Sequence, residues 1–173
     1  MSRTNPCNIV DAKGVRWLGS VPSDSRFVQF VNCFYGYRAA LRVLYSYMAK
    51  HHIRSIRGII SRWAPPFEND TERYIRFVSS VLGVDPTYEV SSTEDLVIIL
   101  AAMTVMENTP KTLHFIRDFL STHLELDSVS LEFSVSPILN RIGDFLKEDS
   151  PLHYTRFFSL LLDTLSKLIE SHV

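Results

Sequence analysis

The segment Leu96-Val-Ile-Ile-Leu-Ala-Ala-Met-Thr-Val-Met106 constrains the fold more than any other part of the chain. It opens on Ser92, three residues before Asp95, with Glu94 and Asp95 where the positive end of a helix favours acidic groups. A helix that is apolar on nearly every side has no face to offer water, so it belongs in the middle of a core and needs partners all round. Those partners are predicted as helices as well. Tyr37, Leu41, Leu44, Tyr45 and Met48 share one face of a helix beginning near residue 34. Ile56, Ile59 and Ile60 face inward from a short helix over Ile53–Trp63, which Pro65-Pro66 ends because neither proline supplies an amide donor. Asn69, Asp70 or Thr71 caps a helix over Glu72–Leu82, and Gly83 stops it. Thr109-Pro110, Ser136-Pro137 and Ser150-Pro151 each set a capping hydroxyl before a proline at the first helical position, opening helices near 111–124, 137–147 and 151–171.

The first 33 residues are different. Asn5-Pro6, Ala12-Lys13-Gly14 and Pro22-Ser23-Asp24 carry turn chemistry. Between them Val15–Leu18 and Phe27–Val31 alternate weakly and are predicted as short strands. The expected class is therefore mainly α, with a small irregular or β element near the N-terminus. At 173 residues one domain with an appendage suffices, and 46% apolar content is enough to bury a core without disulfide or metal staples. Two cysteines, Cys7 and Cys33, make neither a zinc site nor a disulfide framework. The longest apolar run, Leu96–Met103, is far short of a membrane span, and the first residues lack the apolar core of a signal peptide. No cofactor or metal is expected: there is no HExxH, no GxSxG and no phosphate-binding glycine loop.

Charge separates the chain into regions. Overall it is −1, but residues 26–76 hold nine Lys and Arg against three Asp and Glu, while the tail after residue 109 is acidic. Arg38, Arg42, Lys50, His51, His52, Arg54, Arg57 and Arg62 could form one positive face. Such a face suits an anionic polymer, yet it is more often simply solvated, and no nucleic-acid motif accompanies it.

Two places carry chemistry. Glu107 ends the apolar helix, where the helix C-terminus and an apolar wall would both raise a carboxyl's pKa. A carboxyl kept neutral near pH 6–7 is what a glycosidase general acid needs. An acid of that kind predicts that Glu107→Gln is neutral or stabilising. The plain alternative is the solvated end of a buried helix. Trp63-Ala-Pro-Pro-Phe67-Glu68-Asn69-Asp70-Thr71-Glu72 brings two aromatics and three carboxylates to one loop and helix start. Aromatics stack on sugar faces and carboxylates bind sugar hydroxyls. Equally, Asp70 and Glu72 suit a first helical turn and Trp63 could fill the core.

Taken together, Asn5-Pro6-Cys7-Asn8-Ile9, Trp17-x-Gly19, Phe27-x-x-Phe30, Gly36-x-Arg38-Ala39 and Arg57-Gly-Ile-Ile-x-Arg-Trp-Ala-Pro-Pro-x-Glu-Asn-Asp-Thr-x-x-Tyr74-Ile75 resemble a family of short bacteriophage and prophage virion structural proteins. The resemblance covers residues 3–108. That family is in turn distantly similar to lysozyme-like glucosaminidases and transglycosylases. In those an Asn-rich loop, a Trp-x-Gly strand and a Phe-x-x-Phe/Tyr element wall a sugar cleft, and a Thr-Asp-x-x-Tyr motif starts a helix. Their catalytic Glu ends an apolar helix just before the Asn-rich loop. Here Glu107 follows that loop in sequence, so the resemblance implies a circularly permuted lysozyme-like domain over 1–109. In the phage family the acid stands in His-Glu-Asn-Gly; here it stands in Met106-Glu107-Asn108-Thr109, and a loop glycine is Cys7. The resemblance implies Glu107 as general acid, Glu68 or Asp70 as its partner carboxylate, and Asn8, Trp17, Trp63 and Tyr74 as sugar-binding residues. It implies peptidoglycan and other virion proteins as partners, and a protein made in the host cytoplasm, carried in the virion and acting at the cell wall. Residues 110–173 lie outside it and are expected to form a helical extension that packs on the first domain, docks it or makes it oligomerise. A non-catalytic virion component with the same shape is the competing expectation, and a nucleic-acid adaptor a third.

Overall fold

A computed structural model describes residues 4–123 and 151–172. The helices are α1 (Cys33–His51), α2 (Ile56–Trp63), α3 (Thr71–Leu82), α4 (Thr93–Glu107), α5 (Pro110–His123) and α6 (Pro151–His172). Their starts follow the capping chemistry. Asn32, Ser55, Asp70 and Ser92 each accept a backbone N–H of the first turn on a side-chain oxygen. The Asp95 carboxylate reaches back to the Ser91 N–H at 3.0 Å, one residue before the cap, so the arrangement is a displaced capping box. Gly83 ends α3 in the left-handed conformation, as its position suggests. The helix expected near 137–147 lies outside the described residues.

The β element is smaller than expected: one strand falls within Phe27–Val31, and its partner lies at Ser20–Val21 instead of Val15–Leu18. Strands β1 (Ser20–Val21) and β2 (Gln29–Phe30) pair antiparallel, Ser20 opposite Phe30. Val15–Leu18 is not a strand. Its one-sided alternation belongs to an exposed turn region in which Trp17 alone packs on the core. A lone bridge pairs Val10 with Phe27, so residues 9–11 run alongside 26–28.

One hydrophobic core unites the described residues, with α4 at its centre. Leu96, Val97, Ile99, Leu100, Ala101, Ala102 and Met103 are all fully buried. Helices α1 and α3 cover α4 on some sides, and α6 covers it extensively. Leu113, Ile116 and Leu120 of α5 and Phe157, Phe158, Leu161 and Leu165 of α6 belong to the same core as residues 7–103. Phe34 joins α1 to both, its ring 5.3 Å from Phe119 and 4.6 Å from Phe158. No helix among the described residues is long and apolar enough to cross a membrane.

The N-terminal loop is clamped to this core by polar contacts. Asn5 is buried, yet all its side-chain groups are used: Nδ2 donates to the Ile9 and Val28 carbonyls and Oδ1 accepts from the Ile9 N–H. Gly36 lets the loop lie directly on α1, since a Cβ there would stand 2.7 Å from Pro6 Cδ and closer still to the Thr4 carbonyl.

Candidate functional site

The clamp brings the loop to the end of α4. Asn108 caps that helix and donates from Nδ2 to the Pro6 carbonyl at 2.7 Å and the Thr104 carbonyl at 2.8 Å. Asn8 sits opposite in the left-handed region, with φ 54°. Asparagine tolerates that conformation better than other residues with a side chain. The positive φ therefore falls at Asn8, while Cys7, in place of the related family's glycine, occupies a fully buried position without needing one.

Glu107 is held from two directions. Asn8 Nδ2 donates to its Oε2 at 2.9 Å and also to its backbone carbonyl at 3.1 Å. The Tyr74 hydroxyl, from α3, donates to Oε1 at 3.1 Å. Burial, with the nearby Glu107 adding to it, pushes the Tyr74 phenol well above its usual range, so it stays a donor. The same two causes push the Cys7 thiol up. Among the described residues no ion pair involves Glu107. Its neighbours are neutral donors, which fix its position without a cation.

The carboxyl faces a cleft of about 620 Å³. One wall is the N-terminal segment: Asn8, Val10, Val15, Trp17, Arg26 and Phe27. The other comes from α1, the end of α2 and the loop after it: Val43, Tyr47, Trp63, Ala64, Glu68 and Asn69. Thr71 ties that loop to α3 through a bond from Oγ1 to the Ala64 carbonyl at 2.6 Å. A half-buried carboxyl at the base, two indoles on the walls and an opening to water make a place where a polar ring-shaped ligand can lie against an acid.

The residues singled out in the sequence fall in three positions. Glu107, Glu68, Trp17, Trp63 and Asn8 all line the cleft. Tyr74 is buried behind it, touching Glu107 rather than the open space. Asp70 lies outside the lining: its carboxylate caps α3 by accepting the Arg73 N–H at 3.2 Å. Glu68 bonds Arg26 at 3.1 Å. Sequence reasoning passed over Arg26, Val43 and Tyr47. Arg26 stands one residue before a resemblance motif, and Val43 and Tyr47 lie four apart on α1, a spacing that reads as core. The basic stretch is partly engaged within the molecule. Arg57 pairs with Glu72, and Arg62 lies over the Tyr47 ring at 5.1 Å with its Nη2 3.4 Å from His51 Nε2. No group of three metal-ligating side chains is found among the described residues.

The sequence is similar to that of a bacteriophage protein. Protein P5 of Pseudoalteromonas phage PM2 is 38% identical over 112 residues, which span 62% of this chain and 69% of that protein. The chain belongs to the family of phage PM2 protein P5. No family model matches the sequence. That relative is a bacteriophage protein, in keeping with the phage family expected from the sequence.

Proposed function

We infer that this P5 relative is a virion-associated protein whose cleft cleaves peptidoglycan glycan strands, with Glu107 as general acid. The observation that supports this reading is the Glu107 carboxyl, fixed by Asn8 and Tyr74 at the base of a cleft walled by Trp17 and Trp63. Hydrolysis by two free carboxylates is less well supplied, because Glu68 already pairs with Arg26 and Asp70 caps a helix. A lytic transglycosylase needs one carboxyl only. Protonated Glu107 gives its proton to the glycosidic oxygen as the bond from C1 to that oxygen breaks. The C6 hydroxyl of the same sugar then attacks C1, and the Glu107 carboxylate takes the hydroxyl proton. The products are a shortened strand and a 1,6-anhydro end, with no water consumed. The phage relative supports placement in the virion among other virion proteins.

The test is turbidity loss of purified peptidoglycan with wild type and Glu107→Gln across pH 5–8, with mass spectrometry of the ends. Clearing that vanishes in the variant, leaving 1,6-anhydro ends, is expected. Reducing ends would replace transglycosylation by hydrolysis. Clearing by both proteins would move the acid elsewhere. No clearing by folded wild type would leave a non-catalytic virion component.

A further inference from the structure

The rim of the cleft carries a feature that the cleavage reading does not use. Arg26 stands on the N-terminal wall and Glu68 on the opposite one, and their side chains meet across the opening at 3.1 Å. Both are well exposed, 61% and 46% respectively, so water screens the pair and it contributes little to stability. Among the described residues lining the cleft, Arg26 is the one Lys or Arg. Its guanidinium lies 5.6 Å from the centre of the Phe27 ring, which lines the same wall. The aromatic face gives the guanidinium a second contact beside Glu68. A planar guanidinium accepts one carboxylate in place of another without change of geometry, because both offer the same pair of oxygens.

We propose that Arg26 receives a carboxylate of the bound glycan, and that Glu68 holds its place until the ligand arrives. This rests on the glycan reading of the cleft. The ligand chemistry is a sugar polymer bearing carboxylates close to its backbone. In peptidoglycan these come from two sources: the lactyl group of the muramic sugar when it is free, or the peptide stem attached to it. Exchange leaves the opening unstrapped, since Glu68 no longer spans it, and a like-charged ligand group then pushes Glu68 aside.

The test uses the full chain carrying Glu107→Gln, so that ligand is not consumed, and follows quenching of Trp17 and Trp63 fluorescence. Three probes separate the sources. Chitohexaose has no carboxylate, glycan strands stripped of peptide carry the lactyl carboxylate, and strands with stems carry the stem carboxylates. The expected result is tighter binding of at least one carboxylate-bearing strand than of chitohexaose. Adding Arg26→Ala should weaken that binding by about tenfold, the size of one charge-assisted hydrogen bond, and leave chitohexaose unchanged. Adding Glu68→Gln should move the same binding the other way. The strand that responds identifies the source. Equal binding of all three probes by the parent, Arg26→Ala and Glu68→Gln proteins overturns the proposal and leaves the cleft as a glycan site. Absence of quenching by every probe overturns the glycan reading together with it.

Discussion

Asn8 does two jobs whose energetic demands differ, and substitutions can separate them. Its positive φ strains any other residue with a Cβ, while its amide holds Glu107. Asn8→Gly loses the amide alone, whereas Asn8→Ala loses it and adds left-handed strain of about 1–2 kcal/mol. Chemical denaturation should therefore show Asn8→Ala less stable than Asn8→Gly by about 1 kcal/mol. The partners of Glu107 also revise the expectation that Glu107→Gln is neutral or stabilising. The Gln oxygen can still accept from the Asn8 amide, and its NH2 can donate to the Tyr74 hydroxyl, but both bonds lose their charge assistance. A loss of about 1–2 kcal/mol is expected in the same assay, with the fold retained by circular dichroism. Glu107 was legible in the sequence because a lone acid ending an apolar helix is conspicuous. That Asn8 and Tyr74 act on the acid was not, because hydrogen bonds across 99 and 33 residues leave no local pattern.

At the scale of elements, α4 was readable in full, since its caps and its all-round apolarity both come from adjacent residues. Of the strands, β2 falls within the expected Phe27–Val31, but β1 at Ser20–Val21 was not readable. Two-residue strands have almost no periodicity, and their register is set by Gly19 and the Asn5 clamp rather than by alternation. The cleft walls are likewise a product of packing: the N-terminal segment takes its place through its seat on α1 and its bonds to the end of α4. Gly36→Ala tests this seat. The added methyl meets the Thr4 carbonyl and Pro6, so the loop must lift, and Asn8 moves with it. Thermal stability should fall, and any glycan-cleaving activity should fall further than stability accounts for. Leu161→Ala on α6 should cost about 2–5 kcal/mol, because the side chain is fully buried in the shared core.

For the whole molecule, the shared core predicts one cooperative unfolding transition, with fluorescence and circular dichroism midpoints coinciding. Residues 110–173 were expected as a helical extension of a domain over 1–109, packed on it or docking it, and the described parts of α5 and α6 share the core of the residues before them. Alkaline pH should loosen that core. Burial pushes the Cys33 thiol from its ordinary 9.0 up to about 12, and pushes Cys7 and Tyr37 up as well. A raised acid of this kind leaves stability intact below pH 9 and removes it as pH climbs toward 12, by about 1.4 kcal/mol per pH unit per group. Melting temperature measured from pH 8 to 11 should be flat and then drop, and neither thiol should react with a thiol reagent at pH 8 before unfolding. The placement of Asn8 and Glu107 has one more consequence, in the order of synthesis. A ribosome releases the loop early, and its acid only about a hundred residues later. The helix that carries the acid, once made, still waits for α6 to cover it. A chain lacking α6 would therefore leave α4 partly uncovered, and the seat of Glu107 between Asn8 and Tyr74 would lose its support until that helix docks.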